Sequence, residues 1–208
     1  MPNAPKPMPE KDNRSLLIQA TIDIINESGE DAVRIADVLE RVGVTKPTLY
    51  HYFGDREGLL DAAQVARYMG SIPQAYGELI DAMKSVHSAE EFAAMLYPYL
   101  EEQFSDARRG NREIRVSVLG VAKHRPVLQQ KIREMQNESI HELVVGLTAM
   151  QERGYIAPDV DLVALMEWGN SFIVGLAWME VHDERSVPKW REQTLSAIFH
   201  VMGLQKPN

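Results

Sequence analysis

Residues 35–53 contain two short helical patterns separated by a single tight turn. The first pattern has apolar side chains at three- and four-residue spacing and ends at Gly43, which suits a left-handed C-cap. The second begins after Thr45, a good N-cap, and tolerates Pro47 in its opening turn. Two short helices joined in this way predict a helix-turn-helix unit. The apolar positions of the first helix are Ile35, Val38, Leu39 and Val42.

Helical periodicity continues through the rest of the chain. Sustained alternation of apolar and polar residues is missing, so the sequence predicts an all-α fold. We expect a flexible, Pro-rich arm over 1–12, a three-helix helix-turn-helix domain over 13–58 and a larger helical domain over 59–208. Two long helices are predicted over 127–153 and 159–182. Turn residues predict breaks near 70–73, 87–88, 109–111, 125–126, 154–158 and 187–188.

Composition excludes several classes of protein. The 208 residues include no cysteine, which excludes disulfide scaffolds, thiolate zinc sites and cysteine nucleophiles. Uninterrupted apolar runs fall short of the roughly 18 residues that a membrane span needs, and the N-terminus lacks the apolar core of a secretory signal. The net charge of −8 argues against a protein that coats nucleic acid. Residues 34–56 nevertheless carry four basic and three acidic side chains, whereas 1–33 and 57–208 are both net acidic.

The second helix of the unit carries side chains suited to DNA. In a helix-turn-helix the second helix can lie in the major groove, with its first turn facing base edges. Lys46 and Thr48 can hydrogen-bond bases, and Pro47 can contact a thymine methyl group. Leu49 and Phe53 are expected to be buried anchors. The predicted phosphate contacts are Tyr50, His51, Tyr52 and Arg56.

Residues 14–63, and above all GVTKPTLYHYFGDREGLL at 43–60, strongly resemble the tetracycline-repressor (TetR) family of transcriptional regulators. The resemblance implies a cytoplasmic homodimer that binds a palindromic operator in double-stranded DNA and is released by a small, mostly apolar effector. It adds Thr45 to the phosphate contacts. Arg34 stands where the family usually has a Thr or Ser cap, so the cap is weaker and a phosphate contact by Arg34 is an alternative. Leu39 replaces a frequent Ala.

The resemblance also implies roles for the larger domain. The helices over 127–153 and 159–182 resemble the family's dimerisation pair, although packing within one subunit is an alternative. Residues 108–125 hold six basic side chains and one acidic, which fits a solvated or salt-bridged face, or a pocket mouth that favours an anion. Aromatic and methionine side chains predict an adaptable apolar pocket, with plain core as the alternative. The candidate effector contacts are Tyr76, Met95, Tyr99, Phe104, Leu119, Trp168 and Phe172.

Motifs of catalysis are not visible in the sequence. It has no Gly-rich phosphate loop, no His-Glu-x-x-His and no Gly-x-Ser-x-Gly, so we expect neither an enzyme nor a cofactor. His182 with Glu180, Asp183 and Glu184 is more typical of a solvated helix end than of a metal site. Helix-turn-helix geometry also occurs in proteins that never touch DNA. The alternative is therefore an all-helical small-molecule-binding or scaffolding protein whose helix-turn-helix contacts protein.

Overall fold

The computed structural model describes residues 12–72, 76–182 and 184–207, without the side chains of Tyr76 and Glu184. This part of the chain forms ten α-helices and no strand, which confirms the predicted all-α fold. Residues 1–11 of the predicted arm lie outside it. The helices are α1 (Asn13–Ser28), α2 (Ile35–Val42), α3 (Lys46–Phe53), α4 (Arg56–Ser71), α5 (Tyr76–Lys84), α6 (Ala89–Gln103), α7 (Arg109–Ala122), α8 (Pro126–Glu152), α9 (Leu162–His182) and α10 (Val187–Val201).

Local signals set the helix ends of the N-terminal region. Gly43 adopts a left-handed φ of 74°, and its N–H donates to the Leu39 carbonyl at 2.8 Å, so it ends α2 as predicted. The Asp55 carboxylate accepts the N–H of Gly58 at 2.7 Å and caps α4. Arg34 precedes α2 without a side-chain cap, as its replacement of Thr or Ser predicts.

The N-terminal compact unit extends to Met69. Its core combines one face of α1 with single apolar anchors from α2 and α3 and with the first turns of α4. The sequence placed the domain boundary after residue 58, but Leu59, Leu60 and Ala63 are buried in this core, so α4 contributes to it. The other core residues are Leu17, Ala20, Ile24, Ile25, Val33, Val38 and Leu49.

The second compact unit begins at Gly70 and contains α5 to α10 around an apolar core. The predicted break at 109–111 is wrong, because α7 begins at Arg109 and a 3₁₀ turn precedes it. Arg112 explains the shift: its guanidinium binds the carbonyl groups of Gln103 and Ser105 and closes the turn before α7. The α9 helix starts at Leu162 because Asp161 caps it through the N–H of Ala164.

In the described residues, α9 is the one helix that is long and apolar enough to cross a membrane by length and composition. Only 22% of its most apolar window is buried. Core helices of globular proteins pass the same test, and α9 contains a buried, ion-paired glutamate. Its exposed apolar side chains therefore need a separate explanation.

Candidate nucleic-acid interface and ligand cavity

The α3 helix presents most of its predicted DNA-contacting side chains to solvent. Leu49 is fully buried and anchors the helix in the N-terminal core, as expected, while Phe53 is half-buried. Tyr50 and Tyr52 are 40% and 39% exposed, which is unusual for tyrosines that serve only as core. The remaining exposed positions are Thr45, Lys46, Pro47 and His51, and Thr48 is half-buried.

The polar groups of this helix are arranged in pairs. The hydroxyl of Thr45 lies 3.1 Å from that of Thr48, so Thr45 occupies the N-cap position without binding a backbone N–H through its side chain. The Lys46 ammonium lies 5.6 Å from the ring centroid of Tyr50, within cation–π range. The first turn thus places an ammonium group and two hydroxyls side by side at one end of an exposed helix. Such donors suit base edges and phosphate oxygens.

Arg34 and Arg56 bind the protein itself in this structure. The Arg56 guanidinium donates twice to the Val33 carbonyl, at 3.2 and 3.3 Å, and once to Glu57 at 3.0 Å. Arg34 donates to the Asp31 carbonyl at 2.6 Å. Both arginines therefore hold the turn between α1 and α2. Their phosphate contacts remain predictions that require these bonds to be shared or exchanged.

Two interactions that stabilise the candidate DNA-binding surface could not be predicted from the sequence. Arg41 of α2 makes a bidentate ion pair with Glu27 of α1, at 2.8 and 3.2 Å, and these hydrogen bonds lower the pKa of Glu27. Gly58 lies against the end of α3, where a Cβ atom would stand 2.1 Å from the Phe53 carbonyl oxygen. The ion pair joins residues 14 positions apart on two consecutive helices, beyond the three- and four-residue spacing of one helix face. The close contact of Gly58 depends on how the chain turns after α3.

The C-terminal unit contains a predominantly apolar cavity of about 780 Å³, including its open mouth. Tyr99 and Phe104 line it, as proposed for effector contacts. The other lining residues are Leu79, Met83, Leu96, Leu100, Gln103, Leu143, Leu147, Leu165, Met166, Gly169, Asn170, Ile173, Ile198 and Met202. We call this the apolar cavity.

Four other effector candidates, Met95, Leu119, Trp168 and Phe172, are not among the described residues that line the apolar cavity. Trp168 and Phe172 contact each other, with ring centroids 4.6 Å apart, and Phe172 continues to Trp190 at 5.9 Å. They form an aromatic cluster that reaches the cavity through Phe104, whose ring packs on Trp190 at 6.0 Å. The side chain of Tyr76 lies outside the described residues. The other two candidates, Met95 and Leu119, are half-buried elsewhere in the unit.

Sequence reasoning missed a buried ion pair beside the cavity. Arg112, 1% exposed, binds the Glu180 carboxylate through Nη2 and through Nε, the latter at 3.3 Å. Part of the basic segment 108–125 therefore faces inward. Glu180 is committed to Arg112, Asp183 and the side chain of Glu184 lie outside the description, and no cluster of three metal-binding side chains occurs in the described parts.

Comparison with known proteins agrees with this geometry. The model of the tetR family of bacterial regulatory proteins matches residues 17–63, which span α1 to the first half of α4. Curated relatives include the HTH-type transcriptional regulator BetI of Yersinia pestis (strain Pestoides F), 33% identical over 95 residues and 46% of each chain. Over residues 17–63 the chain is therefore similar to regulators of the tetR family. Another curated relative is the uncharacterized HTH-type transcriptional regulator YvdT of Bacillus subtilis (strain 168), 27% identical over 51% of each chain.

The chain spans about half the length of the curated relatives it matches. Solved structures share the fold of the chain over most of its length. A putative TetR-family regulator from Rhodococcus sp. superposes with a TM-score of 0.64 at 24% identity, covering 91% of this chain and 98% of that one. A putative regulator from Saccharomonospora viridis in complex with choline gives 0.62 at 16% identity, covering 92% and 97%. The named relatives are transcriptional regulators.

Proposed function

We propose that this chain is a cytoplasmic, ligand-responsive transcriptional regulator of the TetR family. It binds a palindromic operator in double-stranded DNA as a homodimer, acts as a repressor, and is released by a small, mostly apolar effector. The observation that carries the proposal is the exposed α3 helix, anchored by Leu49, within the segment that matches the family model. The proposed base contacts are Lys46, Pro47 and Thr48, and the proposed phosphate contacts are Thr45, Tyr50, His51, Tyr52, Arg56 and Arg34.

The charge distribution supports sequence-specific binding of DNA through a small number of residues. The segment 34–56 is net basic by one charge while the chain as a whole carries −8, so non-specific attraction to phosphates is weak. Affinity then depends on a small number of contacts in each subunit, doubled by the symmetry of a dimer on a palindrome. For a homodimer of this kind, the two half-sites of the operator lie one or more turns of the DNA helix apart.

Replacing Lys46 and Tyr50 together by alanine should weaken operator binding by about a hundredfold, because each side chain is expected to supply 1–3 kcal/mol of contact. Both lie on the exposed face of α3, so the fold should survive. Fluorescence anisotropy with DNA from the region upstream of the protein's own gene measures the effect.

The control variant for this experiment is Lys84→Ala, which removes an exposed cation of the C-terminal unit that pairs with Asp81. It should leave the affinity for DNA unchanged. Unchanged binding by the double variant would contradict the role of α3. If the wild type binds none of the screened palindromes, the alternative in which the helix-turn-helix contacts protein is favoured.

The α9 helix carries an exposed apolar strip that supports a dimer. Val163, Val174, Trp178 and Val181 are exposed and recur at helical spacing on one side, opposite the buried Leu165 and Leu176. Trp178 is 62% exposed and stacks on His182 with ring centroids 4.7 Å apart. Exposed aromatic and branched side chains in a row are typical of an interface between subunits. We infer that a second copy of the chain covers this strip.

Trp178→Asp should raise the dimer dissociation constant by about tenfold or more, since it places a charge where an apolar anchor is expected. Sedimentation equilibrium should give twice the 23.5 kDa of one chain for the wild type and a mixture shifted toward one chain for the variant. Val116→Asp, at an exposed position of α7, is the matched control. Equal association of all three proteins would contradict the interface.

The apolar cavity supports effector control. Its apolar lining suits a small lipophilic molecule. The choline complex of the related fold is consistent with small-molecule binding by proteins of this architecture. For release from DNA, the effector must bind the released conformation more tightly than the DNA-bound one, because equal affinity for both shifts nothing.

A further inference from the structure

A second, smaller cavity adjoins the apolar cavity in the C-terminal unit. Including its open mouth it measures about 190 Å³, and it is lined by Ser71, Asn111 and three arginine side chains. Gln103 and Ile173 line both cavities, so the two spaces are neighbours. One molecule of sufficient length could therefore place its apolar part in the larger space and a polar group in the smaller one. We call the smaller space the arginine cavity.

Two of its three arginines already have carboxylate partners. Arg112 pairs with Glu180 and donates its remaining nitrogen to backbone carbonyl groups. The Arg108 Nε atom lies 3.2 Å from a carboxylate oxygen of Glu102, and that pair is partly exposed. These two charges are compensated within the protein, so they do not require a ligand.

Arg115 is different. Its side chain is buried, with the residue 7% exposed, and its Nη2 atom donates to the Ser71 carbonyl at 3.1 Å. Its Nε atom is buried and has no hydrogen-bond partner, and no carboxylate of the described residues forms an ion pair with it. A buried charge without an opposite charge is costly, and a buried donor without an acceptor adds to that cost. Among the described residues, the arginine cavity thus has one positive charge without a carboxylate partner and one donor without an acceptor.

We propose that Arg115 binds the carboxylate of an amphipathic anion whose alkyl chain occupies the apolar cavity. Nε and an Nη group of a guanidinium form a fork that matches the two oxygens of a carboxylate. Asn111 offers an amide donor on the same wall. The inference rests on the proposed function insofar as the apolar cavity is the effector site, and it assigns the charge class of that effector.

The cavity linings argue against a cationic ligand. Apolar side chains dominate the larger cavity, with Tyr99, Gln103 and Asn170 as its polar members, and none of its described lining residues is acidic. A quaternary ammonium such as choline, bound in the Saccharomonospora viridis protein, would meet no carboxylate here and would face Arg115. The same fold would therefore bind opposite charges in these two proteins.

Isothermal titration of the full chain with decanoate, decan-1-ol and choline tests this assignment. Decanoate should bind at least about tenfold more tightly than decan-1-ol, which has the same alkyl chain without the charge, and choline should not bind detectably. Arg115→Met should keep its affinity for decan-1-ol and lose the preference for decanoate. Arg109→Met, which removes an exposed cation of α7 paired with Glu113, should retain the preference.

Three results would overturn the proposal: equal affinity of the wild type for decanoate and decan-1-ol, failure of both to bind, or a preference that survives in Arg115→Met. Arg115→Gln replaces the methionine variant if circular dichroism shows that the latter is unfolded, and it should lose the preference equally. The titration contains no DNA. An absent charge preference would therefore contradict only the assigned charge class of the effector. A failure to bind operator DNA would contradict the proposed function and would not prevent the measurement of these affinities.

Discussion

Replacing Glu180 by alanine should lower the free energy of unfolding of the C-terminal unit by about 3–5 kcal/mol. The substitution leaves Arg112 buried at 1% exposure, with no opposite charge for Nε and Nη2. Its Nη1 atom would still bind the carbonyl groups of Gln103 and Ser105, but these carry no full charge. Urea unfolding followed by circular dichroism measures the loss.

Two controls separate the loss of the charge partner from other effects. The double variant Arg112→Met with Glu180→Leu should lose less stability than Glu180→Ala, because it leaves no unpaired buried charge and its remaining cost is the loss of the hydrogen bonds to the Gln103 and Ser105 carbonyl groups. Glu113→Ala breaks the exposed pair with Arg109 and should cost less than about 1 kcal/mol. If Glu180→Ala costs no more than Glu113→Ala, the buried pair does not hold the unit together.

Helix ends in the N-terminal region could be predicted because they depend on residues within a few positions. Gly43 ends α2 through its own left-handed backbone, and Asp55 caps α4 through the N–H three residues on. The buried anchor Leu49 followed from four-residue spacing in the same way. Local conformation and periodicity are properties that the sequence carries directly.

The inward arginines could not be predicted from periodicity. The partner of Arg112 lies 68 residues away on α9, and a basic segment looks the same whether its side chains face solvent or a buried carboxylate. Spacing also does not separate the effector candidates that line the apolar cavity, Tyr99 and Phe104, from those that pack elsewhere. Trp168 and Phe172 have the composition of a pocket wall, but they pack on Trp190 in an aromatic cluster, and spacing alone does not distinguish the two.

The arginines near α3 show a further limit of prediction from the sequence. The motif places Arg56 beside the opening turn of α4, where a phosphate contact is reasonable. The structure directs its guanidinium to the Val33 carbonyl, 23 residues earlier in the chain. A long side chain can serve either purpose, and only the position of a distant carbonyl group decides which.

Gly58→Ala should destabilise the N-terminal unit by about 3 kcal/mol, because overpacking against a rigid neighbour is costly. The added Cβ would lie 2.1 Å from the Phe53 carbonyl oxygen. That oxygen belongs to the last residue of α3, so relief requires movement of the helix that carries the candidate DNA contacts. We therefore expect weaker operator binding even at temperatures where the variant remains folded.

The matched control is Gly70→Ala in the same helix, where an added Cβ has no atom within 4 Å. That variant should be more stable by about 0.4–1 kcal/mol, since alanine loses less backbone entropy in a helix than glycine does. Thermal unfolding and fluorescence anisotropy on both proteins distinguish steric displacement of α3 from a general effect of alanine. If Gly58→Ala matched Gly70→Ala in both measurements, the turn between α3 and α4 would have room for a side chain, and Gly58 would not position the DNA-reading helix.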